Sequence, residues 1–153
     1  MTSIVEANGP PTFLDTNVFV YAVDTADPTK QSVAQNVLAT VRPLCLSSQV
    51  LSEYYVTVTR KLAQPLDAAS AGADVEDMAR LEVVPVDAEL VVSAAGASQR
   101  WRISLWDALI VEAARTGGCE RVLSEDLDDG TDFDGVSIVN PFVGDDASTR
   151  KGW

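Results

Sequence analysis

Five short apolar runs separated by stretches of helical periodicity constrain this chain more than any other feature. The runs are Thr12 to Leu14, Leu44 to Leu46, Val83 to Val86, Val122 to Leu123 and Val136 to Val139. They are rich in Val, Ile and Leu without strict alternation, the pattern of strands covered on both faces. Between them the period lengthens. After Ser47-Ser48, which reads as a cap, Val50, Leu51, Tyr54, Val58 and Leu62 recur at helical spacing. Pro28 can open a helix to about Val41, and Asp87 can cap one running to about Arg100. Ser104 can cap another, with Leu105, Trp106, Leu109, Ile110 and Ala113 as its buried stripe and Gly117-Gly118 as its stop. Residues 67 to 81 are Ala-rich and helical, although Gly72 weakens them. Strands alternating with helices predict an α/β chain: a three-layer α/β/α sandwich with a central parallel sheet.

At 153 residues the chain has the length of one domain. The expected domain spans residues 12–143, with tails at 1–11 and 144–153. No apolar run approaches the roughly 18 residues of a membrane span, and the first eleven residues lack a basic start and an apolar signal core. A soluble, cytoplasmic protein is expected. Cys45 and Cys119, 74 positions apart, fit no redox or zinc spacing and read as free thiols.

Eleven Lys and Arg against 23 Asp and Glu give a formal net charge of −12. A generically basic nucleic-acid binder is thereby excluded, because phosphate neutralisation supplies most non-specific affinity. A nuclease that recruits divalent cations to its own carboxylates is not excluded, since the metal then brings the positive charge. Histidine is absent, which removes His general bases, Ser-His-Asp triads and His-ligated zinc.

Ligands of parallel α/β sheets bind beyond the carboxyl ends of the strands. The first strand runs into Asp15, and Arg121-Val122-Leu123-Ser124 runs into Glu125 and Asp126, with Asp128 and Asp129 close behind. Both sets emerge at one edge of a parallel sheet. Asp107 lies in the first turn of the Ser104 helix, and Glu53 borders the apolar stripe of the helix after Ser47. Each acid also has a plain structural explanation. Asp15 can be a helix N-cap, Asp107 part of a capping box and Glu53 a solvated edge residue, and most of EDLDDGTDFD can be a solvent-facing loop. An EF-hand fails on register, because Gly130 at loop position six puts Leu127 where an oxygen ligand is required. Together, however, two strand ends and two helices can each supply one carboxylate to a common pocket. Such a set repels itself unless a hard cation is bound, and all-oxygen ligation favours Mg²⁺ or Mn²⁺.

Four segments carry a family resemblance: FLDTNVFVYAVD at 13–24, SSQVLSEYYVTVTRK at 47–61, SLWDALIVEAA at 104–114 and VLSEDLDDG at 122–130. In order, spacing and context the chain resembles a PIN domain, particularly the ribonuclease toxins of the VapC type, over about residues 12–142. The resemblance maps an acidic quartet onto Asp15, Glu53, Asp107 and Asp126, with Asp129 as an additional peripheral acid and Thr16, Asn17 and Ser124 in supporting positions. It implies Mg²⁺- or Mn²⁺-dependent endonucleolytic cleavage of RNA, homodimerisation and inhibition by a cognate antitoxin. On that basis Asp15, Asp107 and Asp126 are expected as inner-sphere ligands, and Glu53 as a ligand or as the acceptor that orients the attacking water. Arg100 and Arg102, bracketing Trp101, are the expected RNA contacts, or else a solvated helix end beside a packed Trp. Two other readings make different demands on the sequence. A phosphatase of the haloacid-dehalogenase type needs a second Asp two positions after the first, where this chain has Asn17; a non-catalytic PIN-like interaction module would be expected to have lost site acids.

Overall fold

In a computed structural model, residues 9–143 are described. The expected tails at 1–11 and 144–153 lie almost wholly outside them. Five strands form one fully parallel sheet in the order β3-β2-β1-β4-β5. They are β1 Thr12–Leu14, β2 Leu44–Ser47, β3 Glu82–Val84, β4 Arg121–Leu123 and β5 Ser137–Val139. The third is shorter than its apolar run, because Pro85 has no N–H to continue the ladder. Six helices flank the sheet: α1 Thr16–Tyr21, α2 Pro28–Thr40, α3 Ser48–Arg60, α4 Ala68–Met78, α5 Ala88–Trp101 and α6 Leu105–Thr116. Gly72 lies inside α4 without breaking it.

Side-chain caps start all six helices, from Asp15, Asp27, Ser47, Asp67, Asp87 and Ser104. Each satisfies a backbone N–H that has no partner within its helix. The core lies on both sheet faces. Phe13, Leu14, Leu46, Val122 and Leu123 are fully buried, as strands covered on both sides require. In α6 every residue from Ala108 to Ala114 is buried, because it packs on α5 and also on β2, β3 and β4.

The buried stripe expected for α6 is wrong at one position. Trp106 is 62% exposed, while Leu109, Ile110 and Ala113 are buried. Helix α6 returns the chain from the carboxyl edge of the sheet to its amino edge. Trp106 stands outside the core cluster, whereas its neighbour Leu105 in the same first turn packs against it, partly buried.

Candidate metal and nucleic-acid site

Strand order reverses between β1 and β4, so the switch point of the sheet lies between their carboxyl ends. Asp15 leaves β1 on one side of it, and Ser124, Glu125 and Asp126 leave β4 on the other. The backbone joins the two ends, since the Asp15 N–H donates to the Leu123 carbonyl at 3.1 Å. Helices α3 and α6 start at the same edge and bring Glu53 and Asp107.

The Ser124 hydroxyl is the hub of the junction. It donates to Asp15 Oδ2 at 2.7 Å and accepts from the Asp126 N–H at 3.0 Å. The second Asp15 oxygen accepts from the Thr16 N–H at 2.7 Å, so this aspartate is indeed the α1 cap. Asn17 spans the switch point: its Nδ2 donates to Ser124 Oγ and Asp126 Oδ2, both at 3.3 Å, and its Oδ1 accepts from the Glu125 N–H at 3.2 Å. At the position where a phosphatase would need its second acid, this chain therefore holds an amide that ties the start of α1 to the segment after β4. Glu53 is oriented from two sides, by the Thr16 hydroxyl at 2.8 Å and by Gln49 Nε2 at 3.2 Å. The Asp107 N–H donates to Ser104 Oγ at 3.0 Å.

Electrostatics couples the four. Asp15 is only 4% exposed, and burial raises its pKa to about 7 against hydrogen bonds that lower it; the charges of Asp126 and Glu53 add to the rise. Asp107 is raised as well, first by burial and then by Asp126 and Glu53. Capping accounts for the positions of Asp15 and Asp107, but not for like charges collected around them. The donors are all hard oxygens, so the set fits Mg²⁺ or Mn²⁺ in kind. Among the described residues no three His, Cys, Asp or Glu side chains are gathered into a ready ligand set. Thr16, Asn17 and Ser124 instead occupy hydrogen-bonding positions on three of the acids.

Asp129 lies farther out and is exposed, its Oδ1 accepting from the Asn140 N–H at 2.7 Å. Asp128, Asp132 and Asp134 are exposed too, in a loop anchored by buried Leu127 and Phe133. Arg115 holds that loop to α6, donating to the carbonyls of Phe133 and Asp134 at 2.7 and 2.8 Å. Arg100 lies over the Trp101 ring, 5.5 Å from its centroid, and Arg102 is the left-handed C-cap of α5. Neither lines the two cavities that border the acids.

Several contacts at the edge are not legible in the sequence. Glu125 accepts from Lys30 Nζ at 2.6 Å and from the Tyr21 hydroxyl, clamping the segment after β4 to α1 and α2. No local pattern announces a pair 95 positions apart. Gln49 was legible in principle, because it precedes Glu53 by four residues and so shares its helix face. Lys61 lines the cavity of about 560 Å³ between α1 and α3, together with Thr16, Asn17, Glu53 and Asp126.

Fold and site together define a parallel α/β domain with an oxygen-only acidic edge at its switch point. The PIN domain profile matches residues 12–135, and the chain belongs to the PIN domain family. No curated protein sequence matches significantly. Among solved structures, VapC20 of Mycobacterium tuberculosis, described as a Sarcin-Ricin loop cleaving toxin, is similar at TM-score 0.60 and 19% identity, covering 72% of this chain and 86% of that one. A toxin-antitoxin complex from Klebsiella pneumoniae is similar at 0.60 and 15%, covering 86% and 98%. DNA-bound VapBC from Salmonella typhimurium is similar at 0.59 and 19%, covering 85% and 97%. These likenesses establish the shared α/β fold.

Proposed function

We propose that this chain is a divalent-metal-dependent endoribonuclease, the toxin of a toxin-antitoxin pair, which hydrolyses RNA phosphodiester bonds with a metal-activated water. The observation that carries the reading is the buried Asp15 at the switch point, with Asp126 and Glu53 adding like charge to it. A carboxylate in that position is costly unless a cation joins it. Asp15, Asp107 and Asp126 would hold the ion. Glu53 would either join them or accept the proton of the attacking water, a role that falls to a carboxylate in a chain without histidine.

A bound Mg²⁺ or Mn²⁺ supplies positive charge to the phosphodiester and lowers the pKa of a coordinated water. The protein's share is orientation. Ser124 and the Thr16 N–H fix the two oxygens of Asp15, Asn17 steadies Asp126, and Thr16 with Gln49 aims Glu53. The similar structures named VapC20, VapBC and toxin-antitoxin complex support a cognate antitoxin as partner. An acidic edge suits a basic side chain from such a protein, which would block metal or RNA. Homodimerisation is proposed on the family resemblance alone.

The test is cleavage of single-stranded RNA by purified protein. Cutting is expected with Mg²⁺ or Mn²⁺ and none in EDTA; full activity in EDTA would overturn the reading. No cutting with either metal, beside intact antitoxin binding, would make the chain a non-catalytic PIN module.

A further inference from the structure

Trp106 is the most exposed aromatic residue described, and it immediately precedes Asp107. Its backbone is held from both sides. Ser104 caps the turn through the Asp107 N–H, and Gln49 Nε2 lies 3.5 Å from the Trp106 carbonyl while also donating to Glu53. The indole walls a cavity of about 550 Å³, with Val86 and Leu109 as further apolar lining and Ser52 and Glu53 opposite. The two cavities share Ser52 and Glu53 in their lining, and Lys61 borders one while Trp106 borders the other.

A chain of net charge −12 cannot hold RNA by phosphate contacts in the usual way. Stacking on an aromatic ring is indifferent to net charge, and every nucleobase offers a π-face. On the reading of the chain as an RNA nuclease, we propose that the pocket beside Trp106 receives the unpaired nucleobase next to the cleaved phosphodiester, stacked on the indole. Trp106 is then a specificity-determining residue that positions substrate without touching the reacting atoms. The pocket requires a base free of its duplex, so single strands, loops and extruded bases are substrates and continuous helices are not. A protein partner fits the surroundings less well. A stable interface takes roughly 800 Å² per partner, whereas the apolar lining here is Trp106, Val86 and Leu109 beside the polar Ser48, Gln49 and Ser52.

The test compares two oligoribonucleotides that differ only by an abasic ribose beside the mapped cleavage site, using wild type, Trp106→Ala and Trp106→Tyr. Removing the base should cost wild type about ten- to a hundredfold in kcat/KM. Trp106→Ala should lose a similar factor on the intact oligonucleotide and nothing further on the abasic one, while Trp106→Tyr keeps most of the rate. Trp106→Ala should also melt with wild type, because its side chain lies outside the core. A 2-aminopurine walked along the strand reads stacking without cleavage: at one position its emission should be quenched by wild type and Trp106→Tyr but not by Trp106→Ala. That quenching without any cleavage by wild type would retain the stacking and remove the nuclease reading. Cleavage and quenching by Trp106→Ala equal to wild type would overturn the stacking and leave the nuclease reading intact. A variant impaired only in antitoxin binding or self-association would likewise overturn it, marking the pocket as a protein interface.

Discussion

Asp15 is asked to cap a helix and to sit as an acid in a nearly dry junction, and these demands respond differently to a proton. Its pKa rises from an ordinary 3.8 to about 7, chiefly through burial. Between those values the folded chain holds a proton that the unfolded chain has released, so stability falls as pH rises through the window. Roughly three units correspond to something on the order of 4 kcal/mol. In metal-free buffer the melting temperature should therefore fall from about pH 4 to pH 7. Asp15→Asn caps nearly as well and should flatten that fall, melt no lower than the parent at neutral pH, gain less from added Mg²⁺ and lose most RNA cleavage. Calorimetry across pH, with and without Mg²⁺, checks it; equal pH slopes in the two proteins would return Asp15 to capping alone. The acid itself was legible because it ends an apolar run, whereas its environment was not. Ser124 and Asn17 reach Asp15 and Asp126 from 109 positions away, and only strand order puts them there.

Helix α6 shows what periodicity reads and what it misses. Its cap, length and inner stripe follow from spacing, because a residue three or four positions on returns to the same face. Trp106 breaks the pattern, since spacing alone cannot say which residues of a helix's first turn the neighbouring layers cover. The other end of α6 is as tight as the first turn is open. A Cβ built on Gly117 would lie 2.8 Å from Cys45 Sγ and 3.1 Å from Val84 Cγ2. Read in sequence as a helix stop, this glycine is also a point of close approach between the end of the helix and the sheet. Gly117→Ala should destabilise by about 1–3 kcal/mol through overpacking, seen as a lower urea midpoint at unchanged slope. Its backbone is not left-handed, at φ −79, so the cost is contact rather than strain. A midpoint equal to the parent's would show that Cys45 moves aside freely.

Over the whole molecule, the parallel α/β sandwich was readable from the alternation of patterns, but the placement of β1 at the centre of the sheet was not. Periodicity identifies strands; neighbours are chosen by crossovers that the local sequence does not encode. Net charge acts at this scale as well. With −12 spread over 153 residues, an antitoxin that presents a basic segment to the acidic edge should be drawn in from a distance. Its association rate should drop steeply as salt shortens the screening length from about 10 Å at 0.1 M to about 3 Å at 1 M. Stopped-flow mixing across that range checks it, and a rate insensitive to salt would count against docking at the acidic edge. The strand order also has a consequence in time. Asp15 and Glu53 precede Asp107 and Asp126 along the chain, and β4 adds to the far side of β1 only after everything between them has been synthesised. On the proposed reading the nascent chain is harmless until β4 has emerged, and a cell needs antitoxin at hand only from that moment.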